Sequence, residues 1–234
     1  MPVIAFANSK GGSGKTTSAL LLACELAETT NVTIIDADPR HPISKWAAPK
    51  ADKTKPPKRL TTLQNDSENT IIDEIEEAAT RDPFVIIDLE GVASKKNAFA
   101  ISQADLVIIP MKEQQQDAEA ALDVIKELVN LSKMSGKKIP FAILFTQTKV
   151  IAKSRTSRFI ANQYRDNPNI DCFNVEINER DAFAAIYTMG GSIRTLNTKL
   201  TNGTDRATEN IQAFTAEVIN KLRDQNIDKK GRAA

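Results

Sequence analysis

Cysteine, histidine and aromatic residues are scarce in this chain. Only Cys24 and Cys172 occur in 234 residues, which excludes a disulfide-knit scaffold and a cysteine-rich metal site. Both read as small buried hydrophobes in a reducing compartment. The single histidine, His41, has no second imidazole to relay protons or share a metal, and no catalytic role is assigned to it. Trp46, the only tryptophan, reads as a packing residue. Charge of one sign is missing too: 31 Lys and Arg oppose 30 Asp and Glu, so any nucleic-acid surface has to be a local patch. No apolar run approaches the ~20 residues of a membrane span. The chain opens on a strand-like run without a charged leader or cleavage site, so no secretory signal is expected. The amphipathic stretch 211–227 lacks a bulky apolar face beside a basic one, and no membrane-surface helix is expected from it.

What is present points to one large α/β domain. Apolar residues make up 41% of the chain, enough for a substantial core, and residues 1–234 read as a single domain whose polar tail, 228–234, is expected to be mobile. Continuous apolar runs at Val3–Ala7, Val32–Ile35, Val85–Ile87, Leu106–Ile109 and Phe141–Phe145 read as strands covered on both faces. Helical patterns near Thr17–Glu28, Ile71–Thr80, Asp117–Met134 and Thr156–Tyr164 alternate with them. That alternation predicts a doubly wound, mostly parallel sheet with helices on both faces and ligands at the carboxyl ends of the strands. Two segments break the rhythm. Lys45 to Arg59 carries six basic residues, one acid and three prolines, which suits a surface excursion, and the polar stretch Thr195 to Asp205 reads as a loop before a final helix.

The most informative segment is Lys10-Gly11-Gly12-Ser13-Gly14-Lys15-Thr16-Thr17, set between the first apolar run and the first helical pattern. Its glycines let successive backbone N–H groups point at phosphate oxygens, and the helix start adds its positive dipole end. Lys15 supplies the charge on the β- and γ-phosphates, and the Thr16 hydroxyl is placed to ligate Mg²⁺. A standard phosphate loop has glycine where this chain has Ser9, and it has no need of Lys10. A cation at that mouth requires an anion within reach.

Two apolar runs end in carboxylates. Asp36-Ala37-Asp38-Pro39 follows one and Asp88 follows another, and an aspartate at the end of a buried strand beside a phosphate loop is the arrangement that holds Mg²⁺. Glu90 reads either as a further catalytic carboxylate or as a water-facing loop residue. The latter is favoured because a bare carboxylate beside a γ-phosphate is repelled. Between residues 149 and 165, Lys149, Lys153, Arg155 and Arg158 occur with polar residues and no acid, a composition suited to a phosphate backbone or to a plain solvated helix face. The excursion at 45–59 is the rival basic surface.

The pattern K-G-G-x-G-K-[ST] at Lys10–Thr16 resembles the deviant Walker A box of the ParA/MinD family of P-loop NTPases. Asp38-Pro39-Arg40, Ala104–Pro110 and Asn178–Ala185 extend the likeness over essentially the whole chain, most closely to small plasmid-partition and T-DNA-transfer ATPases. The resemblance implies a slow, partner-stimulated ATPase using ATP and Mg²⁺. Lys10 would reach the partner's phosphates across a face-to-face ATP homodimer, with Lys10, Lys15 and Asp38 the catalytic set. Asp36 would lie near the metal with Thr16 and Asp88, and Asp38 would orient the attacking water. Residues Lys10, Gly11, Gly12, Ser13, Gly14, Lys15, Thr16 and Thr17 would hold the phosphates, with Gln147, Ile177 and Asn178 beside the adenine. It also implies nonspecific DNA binding through Lys149, Lys153, Arg155 and Arg158, and a cytoplasmic protein that joins the nucleoid when ATP-bound. Its partner would be a centromere-binding adaptor or a transfer-complex protein; no membrane is expected, because the C-terminal tail is polar. Alternatives on the same fold are a dethiobiotin-synthetase-type ligase, which has no use for Lys10, and a MinD-like membrane-positioning ATPase. An iron-protein-like reductase would require cluster cysteines, and none lies between Asp88 and Lys149.

Overall fold

In the computed structural model, which describes residues 1–91 and 94–231, seven strands form one sheet in the order β3-β2-β4-β1-β5-β6-β7. They are β1 (Val3–Phe6), β2 (Val32–Ala37), β3 (Leu60–Gln64), β4 (Phe84–Leu89), β5 (Leu106–Met111), β6 (Phe141–Thr148) and β7 (Ile177–Asn178). Every pairing is parallel, so each strand needs a crossover, and the helices that supply these crossovers cover both faces.

Side chains alternate along each strand between two apolar layers. Ile4 and Phe6 of β1 join Ile34, Ile86, Ile108 and Leu144 on one face, beneath α1 (Lys15–Leu26), α2 (Pro42–Ala47), α7 (Asp181–Met189) and α8 (Thr204–Gly231). Val3 and Ala5 join Ile35, Ile87, Val107 and Ile143 on the other, beneath α3 (Ile71–Arg81), α4 (Lys95–Gln103), α5 (Gln115–Ser135) and α6 (Arg155–Arg165). Because both faces are buried, the central strands are apolar along most of their length rather than at every second position.

The strands read from apolar runs are all present, but β2 and β4 run further than the runs themselves. Asp36 and Asp88 therefore lie within strands, paired with each other in register. The edge strand β3, Leu-Thr-Thr-Leu-Gln, was not foreseen, because only one side of an edge must be apolar. Nor was α2, which takes up the start of the basic excursion and buries Trp46 on the sheet. The rest of that excursion is pinned: the Thr54 N–H donates to Met189 O at 2.9 Å, and a Cβ on Gly190 would lie 2.4 Å from Thr54 O. The final helix continues to Gly231 rather than ending at Ile227, since no helix-stopping residue precedes that glycine. Residues 232–234 of the polar tail lie outside the described residues. Among the described residues no helix is long and apolar enough to cross a membrane.

Candidate active site

The sheet order reverses about β1, and the crevice at its carboxyl end is where such sheets take ligands. The segment after β1 turns tightly there. Gly12 and Gly14 have φ of 77° and 85°, a region L side chains avoid, and a Cβ on Gly14 would meet the Thr146 side chain at 3.1 Å. Thr146 also donates its hydroxyl to Ser13 O at 2.6 Å, and Gln147 Nε2 donates to Gly12 O at 3.1 Å. The loop is thus braced by the end of β6. Its entrance is braced by β5: Lys10 N–H donates to Asn8 Oδ1 at 2.8 Å, and Asn8 Nδ2 donates to Pro110 O at 2.6 Å.

Lys15, first residue of α1, is buried against acids. Its Nζ lies 2.9 Å from Asp88 Oδ1 and 3.8 Å from Asp38 Oδ2. Burial pushes the Asp88 carboxyl above its ordinary pKa, opposed by the Lys15 ammonium and by hydrogen bonding from Thr16. Asp36 accepts the Ser44 N–H at 2.7 Å, and Asp38 accepts the Arg40 N–H at 2.9 Å. Neighbouring Asp36 Oδ1 and Asp88 Oδ2 are buried with no hydrogen-bond partner, which is a costly state for a carboxylate oxygen. Water or hydrated cation would relieve it. The donor set fits Mg²⁺ held by Thr16, phosphate oxygens and water, with the two aspartates bonding the water shell. Among the described residues no cluster of three or more His, Cys, Asp or Glu could hold a metal by itself.

Beside the loop a cleft of about 430 Å³ is lined by Thr17, Gln147, Ile177, Asn178, Phe183 and Tyr187, among others. The three residues expected at the base are brought together there. Asn178 is already engaged, donating Nδ2 to Thr148 Oγ1 at 2.9 Å and accepting from Arg180 at 3.2 Å, whereas Gln147 is exposed with a left-handed φ of 52°. A larger hollow of about 920 Å³ lies around Phe141 and Asp171, at the other end of β6. It contains no part of the phosphate loop, whereas the smaller cleft adjoins it through Gly14 and Thr17.

Other expected residues are dispersed or committed. Lys149, Arg155 and Arg158 are exposed, interleaved with exposed Val150, Ile151 and Phe159. Lys153 leaves that basic set. Its Nζ lies 2.7 Å from Glu113 and 2.5 Å from Glu176, so its charge is neutralised inside the protein. Burial alone would raise the Glu176 carboxyl, yet hydrogen bonds from Lys153 and Thr148 and the charges of Lys153 and Arg165 hold it below the usual range. Glu90 is exposed. His41 Nε2 lies 3.1 Å from Asp66 Oδ1, Cys24 is buried, and burial pushes the Cys172 thiol up to about 11. Three residues of the site escaped the sequence reading. Asn8 and Asp117 look like ordinary turn and helix-start residues, and Tyr187, whose hydroxyl lies 3.3 Å from Thr17 Oγ1, sits within a helix of mostly core side chains.

The VirC1 protein family model matches residues 1–225. Protein ParA of Rhizobium radiobacter is 33% identical over 223 residues, covering 95% of this chain and 98% of that protein. The chain is a ParA-like ATPase of the VirC1 family. Protein virC1 of the same organism is 26% identical to this ParA-like chain over 223 residues, covering 94% and 95% of the two. An ATP complex of an aspartate-to-alanine variant of Cyanothece McdA shares the fold, with a TM-score of 0.75 at 15% identity over 93% of this chain and 96% of that one.

Proposed function

We propose that this ParA-like ATPase is a Mg²⁺-dependent switch that pairs face to face with a second copy around ATP, binds DNA nonspecifically in that state, and positions or segregates plasmid or transfer DNA. A cytoplasmic protein, nucleoid-associated when ATP-bound, is part of the same reading, as is a centromere-binding adaptor or transfer-complex protein that accelerates turnover. The observation that carries it is a second lysine, Lys10, at the mouth of a phosphate loop that already has Lys15. One triphosphate within one subunit needs only the latter.

The geometry supports the following roles. The loop amides and Lys15 bind and orient the phosphates, and Lys15 is freed for that task when the nucleotide draws it from Asp88 and Asp38. Mg²⁺, when bound, neutralises charge on the β- and γ-oxygens. Asp38, almost wholly buried beside Lys15, holds the attacking water, and Lys10 of the opposite subunit adds positive charge at the phosphates. Lys10→Ala should leave nucleotide affinity of the monomer near wild type and remove ATP-dependent pairing. Size-exclusion chromatography with a nonhydrolysable ATP analogue decides it, and an undiminished dimer would exclude the sandwich.

DNA binding is assigned to Lys149, Arg155 and Arg158. Changing all three to Ala should weaken ATP-dependent binding to every duplex alike, and each lost contact should flatten the log K against log salt slope by about 0.9. Lys153→Ala should leave the slope unchanged, because its charge is already matched by Glu113 and Glu176. A matched triple variant at Lys50, Lys55 and Lys58 is the comparison. A slope lost there and retained in the first variant would move the DNA surface to the excursion.

A further inference from the structure

Lys96 stands in the first turn of α4, where the positive end of the helix disfavours a cation, and no acid shares that turn with it. Its neighbour Lys95 is exposed, whereas Lys96 is half-buried. The Lys96 ammonium turns back onto the sheet, donating to Ala37 O at 2.9 Å and to Asn65 O at 3.1 Å, at the carboxyl ends of β2 and β3. Both acceptors are backbone carbonyls, so the side chain clips main chain. The two carbonyls flank the hydrogen bond from Asn65 N–H to Asp36 O at 3.0 Å. What the clip holds is the peptide that leads into Asp38. The Ala37 carbonyl and the Asp38 N–H belong to one planar unit, so fixing the carbonyl restricts that plane and with it the direction of the Asp38 side chain. Beyond Asp38 the chain is held by its own turn: Arg40 N–H donates to the Asp38 carboxylate at 2.9 Å, and His41 N–H to the Asp38 carbonyl at 2.8 Å. Lys96 supplies the anchor on the other side. It belongs to the segment that follows β4, the strand of Asp88, so one side chain ties together the ends of the two acid-bearing strands.

We propose that Lys96 is a positioning residue for ATP hydrolysis, which sets the angle at which Asp38 presents its carboxylate to the attacking water. The inference rests on the role of Asp38 given above. Its action passes through the Ala37 peptide, so Lys96 governs the rate of the chemical step and not the grip on the nucleotide.

Lys96→Met keeps the aliphatic stem and removes the donors. At saturating ATP and Mg²⁺ its single-turnover rate of phosphate release should fall about tenfold to a hundredfold, the scale of a misplacement of ~1 Å, while affinity for a nonhydrolysable analogue stays at the wild-type value. Lys96→Arg, whose guanidinium can still donate to two carbonyls, should recover most of the rate. In an Asp38→Ala background, Lys96→Met should cost nothing further, since the two residues act as a unit. A wild-type rate in Lys96→Met overturns the proposal. So does a loss of rate matched by a loss of nucleotide affinity, which marks a merely structural lysine, or a further fall of the same size in the Asp38→Ala background. If Asp38→Ala itself turns over at the wild-type rate, the role of Asp38 falls and this proposal with it; a slow Asp38→Ala beside an unimpaired Lys96→Met removes only the latter. One measurement needs no variant. On the unaltered protein, Lys96 should react with acetic anhydride more slowly than adjacent, exposed Lys95, read by tandem mass spectrometry, and equal reactivity would overturn the clip.

Discussion

Lys15→Ala is expected to lose ATP binding, with affinity falling by at least about a hundredfold. Two charge-assisted hydrogen bonds to phosphate, at about 1.5–3 kcal/mol each, account for a loss of that size. Isothermal titration with ATP and Mg²⁺ measures it, and near-normal affinity would refute the phosphate-loop assignment. The same substitution also acts on the empty protein. Lys15 is the counter-charge of fully buried Asp88, and removing one partner of a buried pair costs about 3–5 kcal/mol. The pH dependence has a definite sign. Burial already raises the Asp88 pKa, and loss of Lys15 raises it further, so the folded variant holds that proton more tightly than the unfolded chain does. Its stability should thus be retained in acid and fall as pH rises above the ordinary Asp value of about 4 toward the raised folded value. Melts of the variant and the wild type across pH 4 to 8, compared point by point, should diverge with rising pH.

Asp38→Ala should retain ATP and pairing yet hydrolyse at no more than about one hundredth of the wild-type rate, the usual scale for a group that positions or activates water. Asp38 accepts from the Arg40 backbone and stands 3.8 Å from Lys15, too far to be that lysine's main anchor, so its loss leaves the phosphate loop intact. The variant should accumulate as a dimer with unhydrolysed nucleotide, seen by phosphate release together with size-exclusion. Unchanged turnover would move the water-orienting role to another carboxylate, and exposed Glu90 is the next to test.

Much of this arrangement could be read from local chemistry. A phosphate loop is a contiguous stretch whose glycines and lysine each have one physical use, and Asp36 and Asp88 announce themselves as acids in otherwise apolar strands. The sheet was legible for a related reason: being covered on both faces, its central strands are continuous apolar runs broken by few polar residues. Polar β3 and two-residue β7 have no such signature. The residues that sequence reading misjudged are those whose role depends on a distant partner. Lys153 counted as a free cation because Glu113 and Glu176 lie outside its run, and only the fold closes that triangle. Asp117 was invisible for the same reason, 107 residues from Lys10, the lysine it pairs with. An unexplained cation at the loop mouth did call for an anion nearby, but spacing along the chain could not say which.

The central place of β1 splits the crevice into two flanks. On one side, β2 and β4 carry Asp36, Asp38 and Asp88. On the other, β5 and β6 lead to Asp117, Thr146, Gln147 and the cleft walled by α7. The acids nearest the phosphates thus hang from different strands than the groups that hold Lys10 and line the cleft. In a device that works as a timer, the duration of the bound state and the threshold for entering it are distinct settings. On the proposed reading they fall to opposite halves of the sheet, so a substitution that retunes one is expected to leave the backbone that supports the other in place.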